Sequence, residues 1–506
     1  MVLACWPGVA LAQASLDSLS VYPLPDGGEI LSYDPVTRTL AVTAERGVRL
    51  LELDSVGGLS QRRFVDLDRA LGEPEELRSI SSVALDPAGR GFGAVSLIPR
   101  DNGTKRGSVV LFSLANGSVG RTIGAGYHPD AVVFAPDGRR LFVVNEGEFT
   151  VGGISDAPGS LSVIDLSGVT GADDLNQARF AGDFPLTRWS VSRRVDLSVL
   201  RMNDETDQPY RHAEPEYAAA LDGRVYVSLQ ENNAVGVFSV QDRQWLSVWP
   251  MGVVPLTIDA SDRDGVAAFE QQVEGLPMPD TIAVYRAGDR RVLVSADEGD
   301  FRPDDGDRKR AGDFAGVAPG SGLDAEAVAD PARLGRLRVS VPDSDPDGDG
   351  LLDRLVIPGA RGVSFWDADT GHRLGGTGSL EPWLFGQDPE RHNLNAKEAA
   401  EGPDQRSDDK GPEPEAVAVT TLPDGGVWVA AAMERQNGLV LIDATDPSAP
   451  EPVGYRNDLD AGLLAPECVV WIDPEDGGSQ RWLVVGYEGD GTGVGCGVAV
   501  YRLVLP

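Results

Sequence analysis

Cysteine and histidine are scarce in this chain, three and four in 506 residues. No CxxC or Cys/His cluster occurs, which argues against a structural zinc site. His128, His212, His372 and His392 form no HExxH pattern; His212 and His392 sit in loops and could join a site, although a lone loop histidine is more often solvated. Cys5 lies in the leading segment, so Cys468 and Cys496 are the cysteines that remain. Export permits them to pair, but spacing leaves open whether their Cα atoms approach closely enough. Positive charge is also in short supply: 44 Lys and Arg face 79 Asp and Glu, a formal net charge of −35. A polyanion of this size repels nucleic acid and anionic lipid, so neither is expected as a partner. Long apolar runs are missing beyond the N-terminus, and no membrane span is predicted. No nucleophile elbow and no Ser/His/Asp order appears.

What is abundant is glycine (61), proline (35) and acid, a composition suited to many short strands and tight turns. The N-terminus, MVLACWPGVALAQAS, is apolar and ends in Ala12-Gln13-Ala14, a small-x-small pattern. Residues 1–14 therefore read as a signal peptide or its remnant, the alternative being a buried first strand. Residues 15–506 read as one all-β domain.

One unit recurs along it. An acid beside a proline opens a short β-branched run; a turn, often Asp-Gly, leads to a second run ending in Glu; a third run follows. Clear copies are PDAVVFAPDG-RRLFVVNEGE-GSLSVIDL from Pro129, EPEYAAALDG-RVYVSLQENN-AVGVFSV from Glu214, MPDTIAVYRAGD-RRVLVSADEGD from Met278 with its closing run RGVSFWDADTG from Arg361, and two more from Gly411 and Leu464. Weaker copies start at Glu29 and Ser79, making seven. Repeats of three or four short strands stack radially, closing a ring that protects strand edges. The predicted fold is a seven-bladed β-propeller, with SLSVYPL supplying the outer strand that closes it; two β-sandwiches are the competing architecture. Residues 168–210, 300–360 and 375–410 interrupt the rhythm and read as loop insertions without a core of their own.

The acids fall at two places per unit that a propeller brings to one face. Entering the first strand are Asp130, Glu214, Glu216, Asp280, Glu413, Glu415 and Glu467; closing the second are Glu146, Glu231, Glu298 with Asp300, Glu434 and Glu488, with Glu45 in the same slot of the first unit. The second unit offers only Ser81. Like charges crowded at a channel mouth need neutralising, by bound cations, by Arg302, Arg406, Arg435 and Lys410, or by backbone amides. Carboxylates without sulfur or histidine suit a hard ion such as calcium. The structural alternative is that each Glu ties its own turn to the neighbouring unit.

A separate acidic motif, Asp345-Pro-Asp347-Gly-Asp349-Gly-Leu351-Leu-Asp353, carries acids at loop positions 1, 3, 5 and 9, Gly at position 6 and a carbonyl donor at Leu351. That is calcium-loop spacing, although Val356 stands where a full EF-hand has its bidentate Glu. Calcium is the expected cofactor for residues 345–353, in a structural role within the fifth unit.

The stretches quoted above, together with RSDDKGPEPEAVAV, MERQNGLVLIDATDP, LAPECVVWIDPEDG and DGDGLLDRLVIPGARGVSFWDADTG, resemble the choice-of-anchor I family from about Glu29 onward. The resemblance implies an exported seven-bladed propeller, anchored or released; the family includes mesenchyme-specific cell-surface glycoproteins and bacterial proteins described as alkaline phosphatases. It places the family's motif residues at Glu146, Glu231, Glu298, Asp300, Arg302, Arg406, Asp408, Lys410, Glu413, Glu415, Glu434, Arg435, Glu467 and Glu488. Asp297 stands where the family has Asn, Cys468 where it has Gly, and GYEGDGTG replaces an Asn-Glu motif. A secreted or periplasmic monomer is expected. Two functions compete. One is a calcium-binding protein whose acidic face binds a small phosphorylated or acidic ligand or a surface component. The other is a metal-dependent phosphoesterase, with Arg302, Arg406 and Lys410 holding phosphoryl oxygens and Glu298, Asp300 and Glu415 among the ion-binding or basic carboxylates.

Overall fold

The computed structural model describes residues 14–25, 27–72, 77–101, 104–147, 157–186, 213–302, 306–473 and 480–505. The leader is outside these residues except for Ala14, and His212 and residues 187–210 of the first insertion lie outside them too.

Among the described residues, seven four-stranded antiparallel sheets follow one another along the chain in a propeller-like all-β fold. Their first strands are Leu31–Asp34, Leu77–Leu85, Pro129–Phe134, Pro215–Leu221, Ile282–Ala287, Pro414–Thr421 and Pro466–Ile472. Each first strand lies against that of the next sheet, and the seventh lies against the first, so the order closes. The seventh sheet takes its fourth strand from the N-terminus: Ser15–Pro23 pairs antiparallel with Gly497–Val504, as SLSVYPL predicts.

The fourth sheet shows why the sequence folds this way. Its first two strands meet across Asp222-Gly223, both with positive φ (50° and 74°), the two-residue turn whose twist matches a hairpin. The second strand, Arg224–Leu229, alternates its side chains between two cores. Val225, Val227 and Leu229 pack with Phe142 and Val163 of the third sheet, while Tyr226 packs with Leu293 and Trp366 of the fifth. Both faces are buried because each sheet is sandwiched between neighbours. The same arrangement runs around the ring, one apolar cluster per pair of adjacent sheets.

The insertions differ from the expectation of coreless loops. Part of residues 300–360 joins the strands Val254–Ile258 and Gln271–Leu276, which the repeat pattern had not picked out. Phe314, Val328, Leu337, Leu352 and Ile357 pack with Leu256 and Ile258 into a buried cluster of their own. Short apolar runs among Asp, Gly and Pro gave no period long enough to read. Arg361 locks the base of this unit. It is fully buried and donates to Glu381 at 2.6 Å and to the carbonyls of Asp259, Ser407 and Asp409. In the first insertion, Arg179–Pro185 is the fourth strand of the third sheet.

No helix among the described residues is long and apolar enough to cross a membrane. Cys468 and Cys496 are both free: the thiols point to different carbonyls, of Leu31 and Glu488 respectively.

Candidate functional site

A local device aims the acids. In the third, sixth and seventh sheets the pairing skips one residue directly after the opening proline, and the skipped residue is the acid: Asp130, Glu415 and Glu467. In the fourth sheet the skip takes in Glu216 and Tyr217. A bulge of this kind turns a side chain out of the ladder. The residue before the proline holds a left-handed φ at His128, Met278, Glu413 and Ala465, a strained conformation for a residue with a side chain. The second sheet has a skip at Ser81 and Ser82.

These residues surround a cavity of about 250 Å³ lined by Glu29, Ile30, Ser81, Asp130, Glu146, Glu216, Tyr217, Asp280 and Glu467. The interrupted ring read from the sequence is therefore brought together, with three adjustments. Glu29, not Glu45, represents the first sheet; Glu45 is exposed. Glu214 and Glu413 lie on the other side of their prolines. Glu214 pairs with buried Arg302 at 3.2 Å, and Glu413 sits among cations. Glu415 does not line the cavity, but the charges of Glu298, Glu467 and Asp280 act on it.

The second set of acids forms a charge-compensated rim. Glu298 binds Lys410 and accepts from Gln230 at 2.6 Å. Lys410 also reaches Glu413 (3.1 Å), which Arg406 (2.5 Å) and Arg435 (3.5 Å) approach too. Arg435 lies 3.1 Å from Glu434. Lys397, from the 375–410 insertion, bridges Glu434 (3.0 Å) and Glu488 (2.5 Å). Glu146 meets His128 at 3.0 Å, and Glu231 lies near Glu146, Asp300 and Arg302. Asp300 is half exposed, its carboxylate accepting from the Phe301 amide. Asp408 belongs to the insertion, paired with Arg310 at 2.7 Å and Arg336 at 2.9 Å. Arg302, Arg406 and Lys410, expected as phosphoryl-binding cations, are thus each committed to a carboxylate.

The two layers differ electrostatically. Burial first, then neighbouring carboxylates, push Glu216, Asp280, Glu415 and Glu467 well above the usual range, and Glu231 likewise. Burial works against the Glu413 carboxylate as well, yet Lys410, Arg406 and Arg435 hold it down at about 2. Burial pushes Glu298 up to about 7 despite Lys410, which it shares with Glu413. Asp297 is pushed by burial up to about 7 while accepting from the Ser295 and Ser364 hydroxyls. Asn145, which also directly precedes the rim Glu of its sheet, donates to the Ser160 and Ser162 hydroxyls. A protonated Asp297 is a near-isostere of that amide.

In the Asp345 loop, carboxylate oxygens of Asp345, Asp347 and Asp353 lie within 4.8 Å of one another. That span is about twice a calcium–oxygen bond of ~2.4 Å. Asp345 is buried and accepts from the amides of Asp349 (3.1 Å) and Gly350 (2.9 Å). Asp349 turns back to the Leu351 amide at 2.8 Å and is not one of the three. Burial, then Asp347, Asp349 and Asp345, raise the Asp353 carboxyl.

Sequence reasoning missed four features. Glu29 is visible in hindsight as an acid just ahead of a first strand. Tyr217, on the fourth-sheet bulge, is an aromatic among apolar neighbours. Lys397 carries no local signal. His392, expected to be solvated, is 2% exposed and contacts Asp259 at 2.8 Å.

No curated protein matches the chain. Among solved structures it is similar to Kuenenia stuttgartiensis hydrazine synthase, at 10% identity and a TM-score of 0.44, over 93% of this chain and 95% of that one. Residues 29–447 match the model described as the Choice-of-anchor I domain, and the chain belongs to the choice-of-anchor I family.

Proposed function

We propose that this chain is an exported, surface-associated, calcium-binding protein. In this reading the seven sheets are the blades of a seven-bladed propeller. A divalent cation bound in the acidic cavity, with Asp280 and Glu467 among the carboxylates facing it, presents open coordination positions to an acidic group of a ligand or surface component. The observation that carries the reading is Asp280. It is 9% exposed, it lines the cavity, and among the described residues its side chain makes no hydrogen bond or ion pair. A buried carboxylate so placed must either stay protonated or meet a cation. The Ser81 hydroxyl and the Tyr217 ring complete a wall of oxygen donors with an aromatic face. The Asp345 loop is a second calcium site with a structural role, pinning the insertion through Asp345 and Asp353. Choice-of-anchor membership supports the cell-surface setting.

Calorimetric calcium titration of chelator-treated protein tests the reading. Asp345→Asn with Asp347→Asn should remove one class of site, and Asp280→Asn with Glu467→Gln the other. Absence of calcium binding to the wild type, or binding unaltered in both double variants, overturns it.

A further inference from the structure

We propose that Asp259, His392 and Asp404 bind a divalent transition-metal ion of the zinc or manganese class, and that this ion staples the arm that delivers Lys397 to the channel rim. Asp259 is distant in sequence from His392 and Asp404, which close one loop. Asp259 directly follows the strand Val254–Ile258, His392 directly follows the turn Pro389–Arg391, and Asp404 ends the stretch beyond it. His392 Nε2 lies 2.8 Å from Asp259 Oδ2 and 4.0 Å from Asp404 Oδ1, and the three ligand atoms fall within 4.8 Å of one another. Ligand atoms around one zinc ion stand ~3–3.5 Å apart, given metal–ligand bonds of ~2.0–2.2 Å. The 2.8 and 4.0 Å separations bracket that value.

Burial and charge point the same way. Asp259 is 1% and His392 2% exposed, while Asp404 is half-buried and leaves one side open for entry. Two carboxylates face one imidazole. Among the described residues no Lys or Arg pairs with either carboxylate. Arg361 donates to the Asp259 backbone carbonyl, but its ion partner is Glu381. Buried negative charge of this kind is costly without a cation. The imidazole plane is fixed by packing, edge-on between Phe269 (5.3 Å) and Phe385 (5.5 Å). One nitrogen and two oxygen donors suit a borderline ion better than calcium.

The site lies at the base of an arm. The Asp404 amide donates to the His392 carbonyl at 2.7 Å and the Arg406 amide to the Asn393 carbonyl at 2.9 Å, closing residues 393–403 into a loop. Lys397 is on that loop, and Arg406 and Lys410 follow it. An ion at the base ties these three rim cations to the strand Val254–Ile258.

The test uses the full chain, stripped with chelator and then saturated with calcium to fill the Asp345 loop. Zinc is titrated calorimetrically and cobalt(II) by visible absorption. One equivalent of either ion is expected to bind, with a cobalt d–d band, and zinc should slow proteolysis within residues 393–403. Asp404→Asn and His392→Gln should each weaken binding by at least ~10-fold and abolish the protection. Asp404→Asn keeps the test valid if the buried His392 variant does not fold. Absence of binding beside saturating calcium, or wild-type binding by Asp404→Asn, overturns the proposal.

Discussion

Replacing Lys410 with Met isolates the electrostatics of the rim. Lys410 is the cation paired with Glu298, whereas Glu413 keeps Arg406 and Arg435. Removing one partner of a buried pair costs about 3–5 kcal/mol, because the other charge is left uncompensated. That cost depends on Glu298 being ionised. Glu298 already sits at about 7 in the folded protein, above its ordinary 4.5, and loss of Lys410 raises it further. A raised folded value means the native state holds the proton more tightly than the unfolded chain. The protonated group's contribution is therefore fully present below the unfolded value and is lost as pH rises through the folded one. Protonating Glu298 near ~pH 8, about one unit above that value, costs about 1.4 kcal/mol and caps the charge penalty, so the variant should lose about 1–2 kcal/mol more near ~pH 8 than near ~pH 5. Glu298→Gln added to Lys410→Met should recover most of the loss near ~pH 8. Urea midpoints at constant m-value provide the measurement. An equal loss at both pH values, or no recovery in the double variant, refutes the charge argument and assigns the effect to lost packing.

Arg361→Met should cost at least about 3 kcal/mol, since it leaves Glu381 buried without its 2.6 Å partner; urea unfolding together with limited proteolysis of residues 308–360 would show whether the insertion loosens first. Gly299→Ala should destabilise strongly and move Glu298, because Gly299 has φ 88° and an added Cβ would lie 2.0 Å from the Gly359 nitrogen; a melting point equal to wild type contradicts the geometry. Because Cys468 and Cys496 are free, both should react with a thiol reagent on denaturation without prior reduction, and reductant should leave the melting point unchanged.

The family resemblance, the repeat and its acids could all be read from the chain because they depend on neighbours in sequence. Period-2 runs, Asp-Gly turns and a proline followed by an acid act over a few residues, and the bulge at each proline converts that local signal into a side chain aimed at the cavity. The closing strand at Ser15–Pro23 followed from the same count, since a ring needs a partner for its last sheet. What local pattern could not give was the pairing of charges. Lys397 reaches Glu488 across 91 residues and His392 reaches Asp259 across 133. Neither contact leaves a spacing to recognise. Glu214 and Glu216 differ by two positions and a proline, yet one is tied to Arg302 and the other lines the cavity. The sequence by itself determined that carboxylates recur at two positions of the unit, with the second unit silent. Tertiary structure decided which of them meet a Lys or Arg side chain and which line the acidic cavity, because burial and charge at each site are set by the chain segments that fold over it.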